Sequence, residues 1–237
     1  MALNNSCFQL SGHTRQHSVV AVFARCPVPG RVKTRLARDV GDEAACALYR
    51  AMVMDSISAV RACGLPLFLF YDGPAASGLP PEWSEMADLV FSQEGESLGE
   101  RMHAAFERSF AAGADNVILT GSDIPGIDAD LLQSAMVALE HADAVFSPAL
   151  DGGYCLVAAN RENFDSRIFE GIPWSTTRVL DMTVAACSAA NLSYCLLEPR
   201  QDIDTMGDLA AYCRKPSESA LVTNAWLVSQ GLLKQRY

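Results

Sequence analysis

Short apolar runs rich in Val, Ile, Leu and Phe alternate, from Ser18 onward, with longer stretches of helical period. This rhythm predicts a mostly parallel sheet covered by helices, since a short apolar run flanked by helical segments suits a strand buried on both faces. Seven runs qualify as strands: 18 to 24, 66 to 71, 88 to 92, 116 to 121, 143 to 149, 154 to 160 and 192 to 198. Helices fill the gaps at 42 to 62, 98 to 112, 129 to 141 and 176 to 190. Gly64 with Pro66 ends the first, Gly113 ends the second, and Asp128 caps the third. Leu98, Met102, Phe106 and Phe110 recur every four residues and form one core stripe. Helical spacing returns from Asp208, broken at Pro216. No repeat or low-complexity linker interrupts the pattern. The expectation is a frayed tail over residues 1 to 17 and a single three-layer α/β/α domain over 18 to 237, with a mixed, mostly parallel sheet of about seven strands.

Composition narrows the class. Half of the 237 residues are apolar and 19% are charged, which excludes a disordered or fibrous chain. Twenty-eight acidic against 18 basic residues leave a net charge of -10, unsuited to wrapping a nucleic-acid backbone or an anionic membrane. No apolar run approaches the ~20 residues of a membrane span, and residues 1 to 17 lack the pattern of a secretion signal. The eight cysteines contain no CxxC pair and no histidine-rich neighbour. They are expected to be reduced thiols that behave as small hydrophobes, as in the cytoplasm. Nothing in the pattern fixes an oligomeric state.

Against that acidic background one segment stands out. Arg25, Arg31, Lys33, Arg35 and Arg38 follow the first strand with no acid between them. Loops at the carboxyl ends of strands in such sheets bind ligands, and Gly30 with these cations suits phosphate oxygens. A solvated basic loop is the plainer alternative. It is not a Walker A loop, because the upstream glycine is missing.

Three further segments carry candidate chemistry. Gly121-Ser122-Asp123-Ile124-Pro125 follows the apolar strand at 116 to 121, and a carboxylate there is either a ligand for Mg²⁺ or Mn²⁺ or a helix cap. Asp151-Gly152-Gly153-Tyr154 reads first as a hairpin turn. Its glycines would also admit a substrate to the backbone, with Asp151 accepting from sugar hydroxyls or acting as a base. Asp202 and Asp204, two apart in an extended segment, point the same way and could converge on one cation. Ser175 or Thr176 is expected to cap the helix at 176, and Asp204 or Thr205 the next. Gly95-Glu96-Ser97-Leu98-Gly99 matches the nucleophile-elbow pattern of a serine hydrolase, but His103 and His141 are poorly placed as its base.

Taken in order, FARCPVPGRVKTRL, QEGESLGERM, GSDIP, DGGY, PWST and DIDT resemble the radical-SAM/selenodomain-associated family of small bacterial glycosyltransferases, over about residues 19 to 212. The family resembles the nucleotide-diphospho-sugar transferase (GT-A) fold, which also houses guanylyltransferases. The resemblance implies a metal-dependent transferase with Mg²⁺ or Mn²⁺, a nucleotide sugar as donor and a small acceptor. Its alternative is a nucleotidyltransferase acting on an NTP. Arg31, Lys33 and Arg35 would hold the nucleotide phosphates, and Arg25, Gly30, Gln93, Gly99, Arg101, Ser122, Gly152, Gly153, Tyr154, Trp174, Ser175 and Thr176 would line the substrate site. Asp123 and Asp204 would bind the metal, and Asp123, Asp151 and Lys33 would carry the chemistry. Two positions depart from the family pattern: Arg25 stands where lysine is usual, and Ser97 where aspartate is usual.

Overall fold

A computed structural model describes residues 17–73 and 78–234, so the frayed tail expected over residues 1 to 17 lies, except for His17, outside the described residues. Seven strands form one sheet: β1 (Ser18–Arg25), β2 (Leu67–Asp72), β3 (Leu89–Ser92), β4 (Asn116–Gly121), β5 (Ala144–Pro148), β6 (Tyr154–Asn160) and β7 (Tyr194–Leu196). Their order is β3-β2-β1-β4-β6-β5-β7. Every neighbour pairs in parallel except β6, which runs antiparallel between β4 and β5. The Asp-Gly-Gly turn between β5 and β6 accounts for the exception, with Gly152 in the left-handed region at φ 91°.

Alternation along β1 explains the layers. Val20, Val22 and Ala24 face one core, while Val19 and Ala21 face the other. The first core is covered by α1 (Thr34–Val40), α2 (Asp42–Cys63), α3 (Pro81–Met86), α5 (Ala129–Leu139), α7 (Met206–Arg214) and α8 (Leu221–Ser229). The second is covered by α4 (Leu98–Ala111), a 3₁₀ turn over 166–169 and α6 (Val179–Ala189). The four-residue stripe of α4 is packed as its spacing demands, with Met102, Phe106 and Phe110 buried, although Leu98 stays exposed. No helix among the described residues is long and apolar enough to cross a membrane.

Several helix ends differ from the expectation. α6 begins at Val179 rather than 176, and neither Ser175 nor Thr176 caps it. Ser175 sits at φ 64° and the Thr176 hydroxyl donates to the Pro173 carbonyl, so the chain makes a tight loop before the helix can start. Asp128 caps α5 through the Leu131 N–H, and Thr205 caps α7 in a reciprocal pair with Asp208. The short α1 and α3 escape the periodicity because each buries too few residues to leave a stripe: Leu36 and Ala37 in one, Trp83 in the other.

β1 lies between β2 and β4, so the strand order reverses there and opens a crevice at the carboxyl ends of these parallel strands. The cationic loop, the Asp123 loop and the Gln93 segment all leave the sheet at that edge.

Candidate functional site

The loop after β1 turns back on itself, and its last residue before α1 is Lys33, held at φ 49° and ψ 42°. That left-handed backbone, uncommon for a side-chain-bearing residue, sends the lysine inward. Its side chain is only 4% exposed, and Nζ lies 2.8 Å from Asp123 Oδ2 and 3.6 Å from Asp204 Oδ1. Asp123 comes from the turn after β4. Asp204 comes from the extended segment before α7, which is anchored where the Ile203 N–H donates to the Asp123 carbonyl at 3.2 Å. Ile203 is wholly buried in the core, so alternation turns Asp202 and Asp204 together toward the cleft. Arg35 reaches the same Asp204 from the rim, Nη1 to Oδ2 at 2.9 Å.

Asp123, Asp151, Asp202 and Asp204 line one cavity of about 520 Å³ with Lys33, Arg25 and Arg101. The carboxylates crowd one another. Burial first, and then the negative charge of Asp123, push Asp202 up to about 6, with Lys33 opposing the rise and Asp151 and Asp208 adding to it. An oxygen-only, acidic donor set of this kind fits a hard divalent cation. Among the described residues no three ligating side chains are already grouped around one point, and the Lys33 ammonium lies within 2.8 Å of Asp123 and 3.6 Å of Asp204.

The opposite wall is built at the ends of β1, β2 and β3. Asp72 closes β2 and bridges two cations, lying 3.6 Å from Arg25 Nε and 3.2 Å from Arg101 Nη1. Gln93 donates its side-chain amide to the carbonyls of Ala24 at 3.4 Å and Phe70 at 3.1 Å, and so staples those strand ends. Tyr49, from α2, does the same beneath the cationic loop. Its hydroxyl accepts the Arg25 N–H at 2.7 Å and lies 3.2 Å from Ser122 Oγ, and burial pushes it up to about 12. The floor between these walls is apolar, formed by Phe23, Leu119, Tyr154, Leu156 and Trp174 among others.

Not every expected site residue faces the cavity. Lys33, Arg25, Gln93, Arg101, Ser122, Asp123, Asp151, Gly153, Tyr154, Trp174, Ser175, Thr176 and Asp204 line it. Gly30, Arg31, Arg35, Gly99 and Gly152 do not. The two inner glycines serve packing: a Cβ on Gly99 would stand 2.7 Å from the Phe169 carbonyl and 3.0 Å from Trp174, and one on Gly152 would stand 2.3 Å from the Thr177 carbonyl. They knit α4 and the β5–β6 turn to the loop before α6, where the chains approach too closely for a side chain. Gly30 is a turn residue at φ 75° beside Asp42. Ser97, the residue of the hydrolase-like pattern, accepts the Glu100 N–H while Glu100 accepts from the Ser97 N–H, so its hydroxyl is engaged in a capping box. A more open groove of about 770 Å³ between α5 and β7 gathers Asp130, His141 and Tyr194 but lies away from this convergence of charge.

Comparison with known proteins fits this geometry. The family described as "Uncharacterized protein conserved in bacteria (DUF2064)" matches residues 56–176. A crystal structure from Desulfovibrio desulfuricans G20, provisionally described as a nucleotide-diphospho-sugar transferase, is 33% identical with a TM-score of 0.80, over 93% of this chain and 100% of that one. This chain belongs to the DUF2064 family. The DUF2064 chain also shares its fold with a cytidylyltransferase from Leptospira borgpetersenii serovar Hardjo-bovis (strain JB197), at 12% identity and a TM-score of 0.52 over 94% of this chain and 99% of that one. A 4-diphosphocytidyl-2C-methyl-D-erythritolsynthase from Anaerococcus prevotii DSM 20548 is 10% identical, with a TM-score of 0.51 over 90% and 99%. No curated protein matches. The fold of the DUF2064 chain is thus that of the nucleotide-diphospho-sugar transferases, with its seven-stranded mixed sheet.

Sequence reasoning missed Asp72 and Tyr49. Asp72 carried a signal, a lone acid closing an apolar strand at the same edge as the cationic loop. Tyr49 carried none, since nothing in a helical stripe marks one hydroxyl as reaching two strand ends.

Proposed function

We propose that this chain is a metal-assisted transferase that takes a nucleotide-activated substrate, moving a sugar from a nucleoside diphosphate to a small acceptor. One observation carries the reading: a nearly buried lysine held between Asp123 and Asp204, at the ligand-binding edge of the sheet, inside an excess of carboxylates. The likeness to the Desulfovibrio protein supports the donor class. Asp123 and Asp204 would hold Mg²⁺ or Mn²⁺, and the ion would neutralise charge on the departing diphosphate. Lys33 and Arg25 would bind diphosphate oxygens, with Arg35 and Arg31 at the rim drawing the anion in. Gln93, Arg101 and Phe23 would seat the nucleoside, and Trp174, Ser175, Thr176 and Tyr154 the transferred group. In the transfer, the bond from the anomeric carbon to the diphosphate oxygen breaks and one to an acceptor oxygen forms. Asp151, whose Oδ1 accepts the Gly153 N–H at 2.9 Å, would take the acceptor proton.

Thermal-shift screening against UDP-, GDP- and TDP-sugars and the four NTPs, each with and without Mn²⁺, tests the reading. A nucleotide sugar that stabilises the protein only with the ion is the expected result, and saturation at 100 times Kd adds about 2.7 kcal/mol. Lys33→Ala should weaken that nucleotide by ~1.5–3 kcal/mol. Pyrophosphate released from an NTP, with every nucleotide sugar inert, moves the assignment to nucleotidyl transfer. Stabilisation by no nucleotide at all overturns both.

A further inference from the structure

The place of Lys33 has a consequence for how the site is filled, one that rests on the function proposed above. Its ammonium is 2.8 Å and 3.6 Å from the two carboxylates assigned to the metal, so ammonium and divalent ion compete for the same oxygens. They also repel each other, and most strongly where solvent is scarce, as around a side chain that is 4% exposed. The lysine leaves the loop on a left-handed backbone at its own position, and a second cation, Arg35, occupies the far oxygen of Asp204 and so fixes that carboxylate. Both carboxylates stay partly open to the cavity, at 40% and 35%, so the pair is not sealed as a core ion pair is.

We propose that Lys33 is an exchangeable internal counter-ion, which excludes a bare divalent ion and gives up its place only when a diphosphate arrives to accept it. Without ligand, Lys33 balances Asp123 and Asp204 and keeps the loop after β1 joined to β4. A diphosphate offers the ammonium new oxygens, and the two carboxylates thus released accept the ion that accompanies it. Metal and nucleotide therefore bind together. Arg35 remains on Asp204 throughout and keeps that carboxylate aimed at the cleft. The substrate class that opens the site is one carrying at least two linked phosphates, since a single group must meet both the ion and the displaced lysine.

Mn²⁺ titration followed by water-proton relaxation, which reports the ion on slowly tumbling protein, tests this without any turnover. On the intact chain alone, Mn²⁺ should bind at least tenfold more weakly than on Lys33→Met, while Lys33→Arg, which keeps a cation in place, should behave as the parent. Adding inorganic pyrophosphate should tighten Mn²⁺ on the parent at least tenfold and on Lys33→Met by much less. If Lys33→Met does not fold, as judged by circular dichroism, Lys33→Gln carries the same expectation. Equal Mn²⁺ affinity of the parent and the neutral variant without pyrophosphate overturns the exchange and leaves the metal-assisted reading standing. No protein-bound Mn²⁺ on any of them, with or without pyrophosphate, overturns both.

Discussion

The carboxylate of Asp55, under α8, and the carboxylates of the cleft are settled in opposite ways. Asp55, in the middle of α2, is 4% exposed, and its two oxygens accept the N–H groups of Val222 and Thr223, each at 2.8 Å. It caps α8, whose own preceding residue, Ala220, offers no side-chain cap. Both oxygens of that carboxylate are partnered inside the protein, by the orphan donors of a helix end. In the cleft the balance is reversed. Four carboxylates share one cavity with one nearly buried ammonium, and Asp202 is pushed up to about 6 by its burial and its neighbours' charge. A structural acid is saturated by its own chain, whereas a cluster left with excess charge facing a cavity is arranged for something that arrives from outside.

Substitutions can break this contrast, and the largest effect is expected in the cleft. Asp123→Asn should lower transferase turnover about 10²–10³-fold, the range for losing one preorganised electrostatic group, and lower the urea midpoint by a smaller effect, since Lys33 loses its nearer partner but keeps Asp204. Activity assays paired with equilibrium unfolding check both halves, and a variant that unfolds as readily as it loses activity would make Asp123 structural. Asp55→Ala should do the converse, lowering stability by ~1–2 kcal/mol through the lost cap of α8, with nucleotide affinity as in the parent by calorimetry. The smallest effect concerns pH. Burial raises Asp55 above the ordinary carboxylate range despite the N–H groups that oppose the rise. The folded chain therefore holds that proton more tightly than the unfolded one, a contribution fully present below the unfolded pKa and lost as pH rises through the folded one. The stability advantage of the parent over Asp55→Asn should accordingly shrink as pH rises through the acid range, and urea midpoints that keep a constant difference would contradict the burial argument.

The same contrast separates what could be read in the chain from what could not. All seven strands lie where apolar runs placed them: burial on both faces leaves a continuous signal in the central strands, and the short edge strands β3 and β7 keep an apolar run although they are partly exposed. The placing of the cleft's acids was legible too: Asp123 follows a central strand, and Asp202 and Asp204 straddle a core isoleucine. The cationic loop was legible as charge but not as geometry. Of its members only Arg25, at the end of β1, and Lys33, on a left-handed backbone that no composition reveals, line the cavity. That Gly99 packs against Phe169 and Trp174, and Gly152 against Thr177, was not legible either, because these partners lie far along the chain.

Local order was therefore written in the sequence: strands, most helices, the hairpin after β5, and the chemical character of each loop. These follow from periodicity and from the conformational demands of single residues, which act over a few positions. Tertiary structure alone decided the partnerships. Tyr49 with Arg25 and Ser122, Asp72 with Arg101, Asp55 with α8, and Lys33 with Asp123 across 90 positions of chain all join residues remote in sequence. Such contacts arise only after the sheet has set the register of its strand ends. Electrostatic energy depends on the resulting distances and on the exclusion of water, neither of which a linear pattern contains.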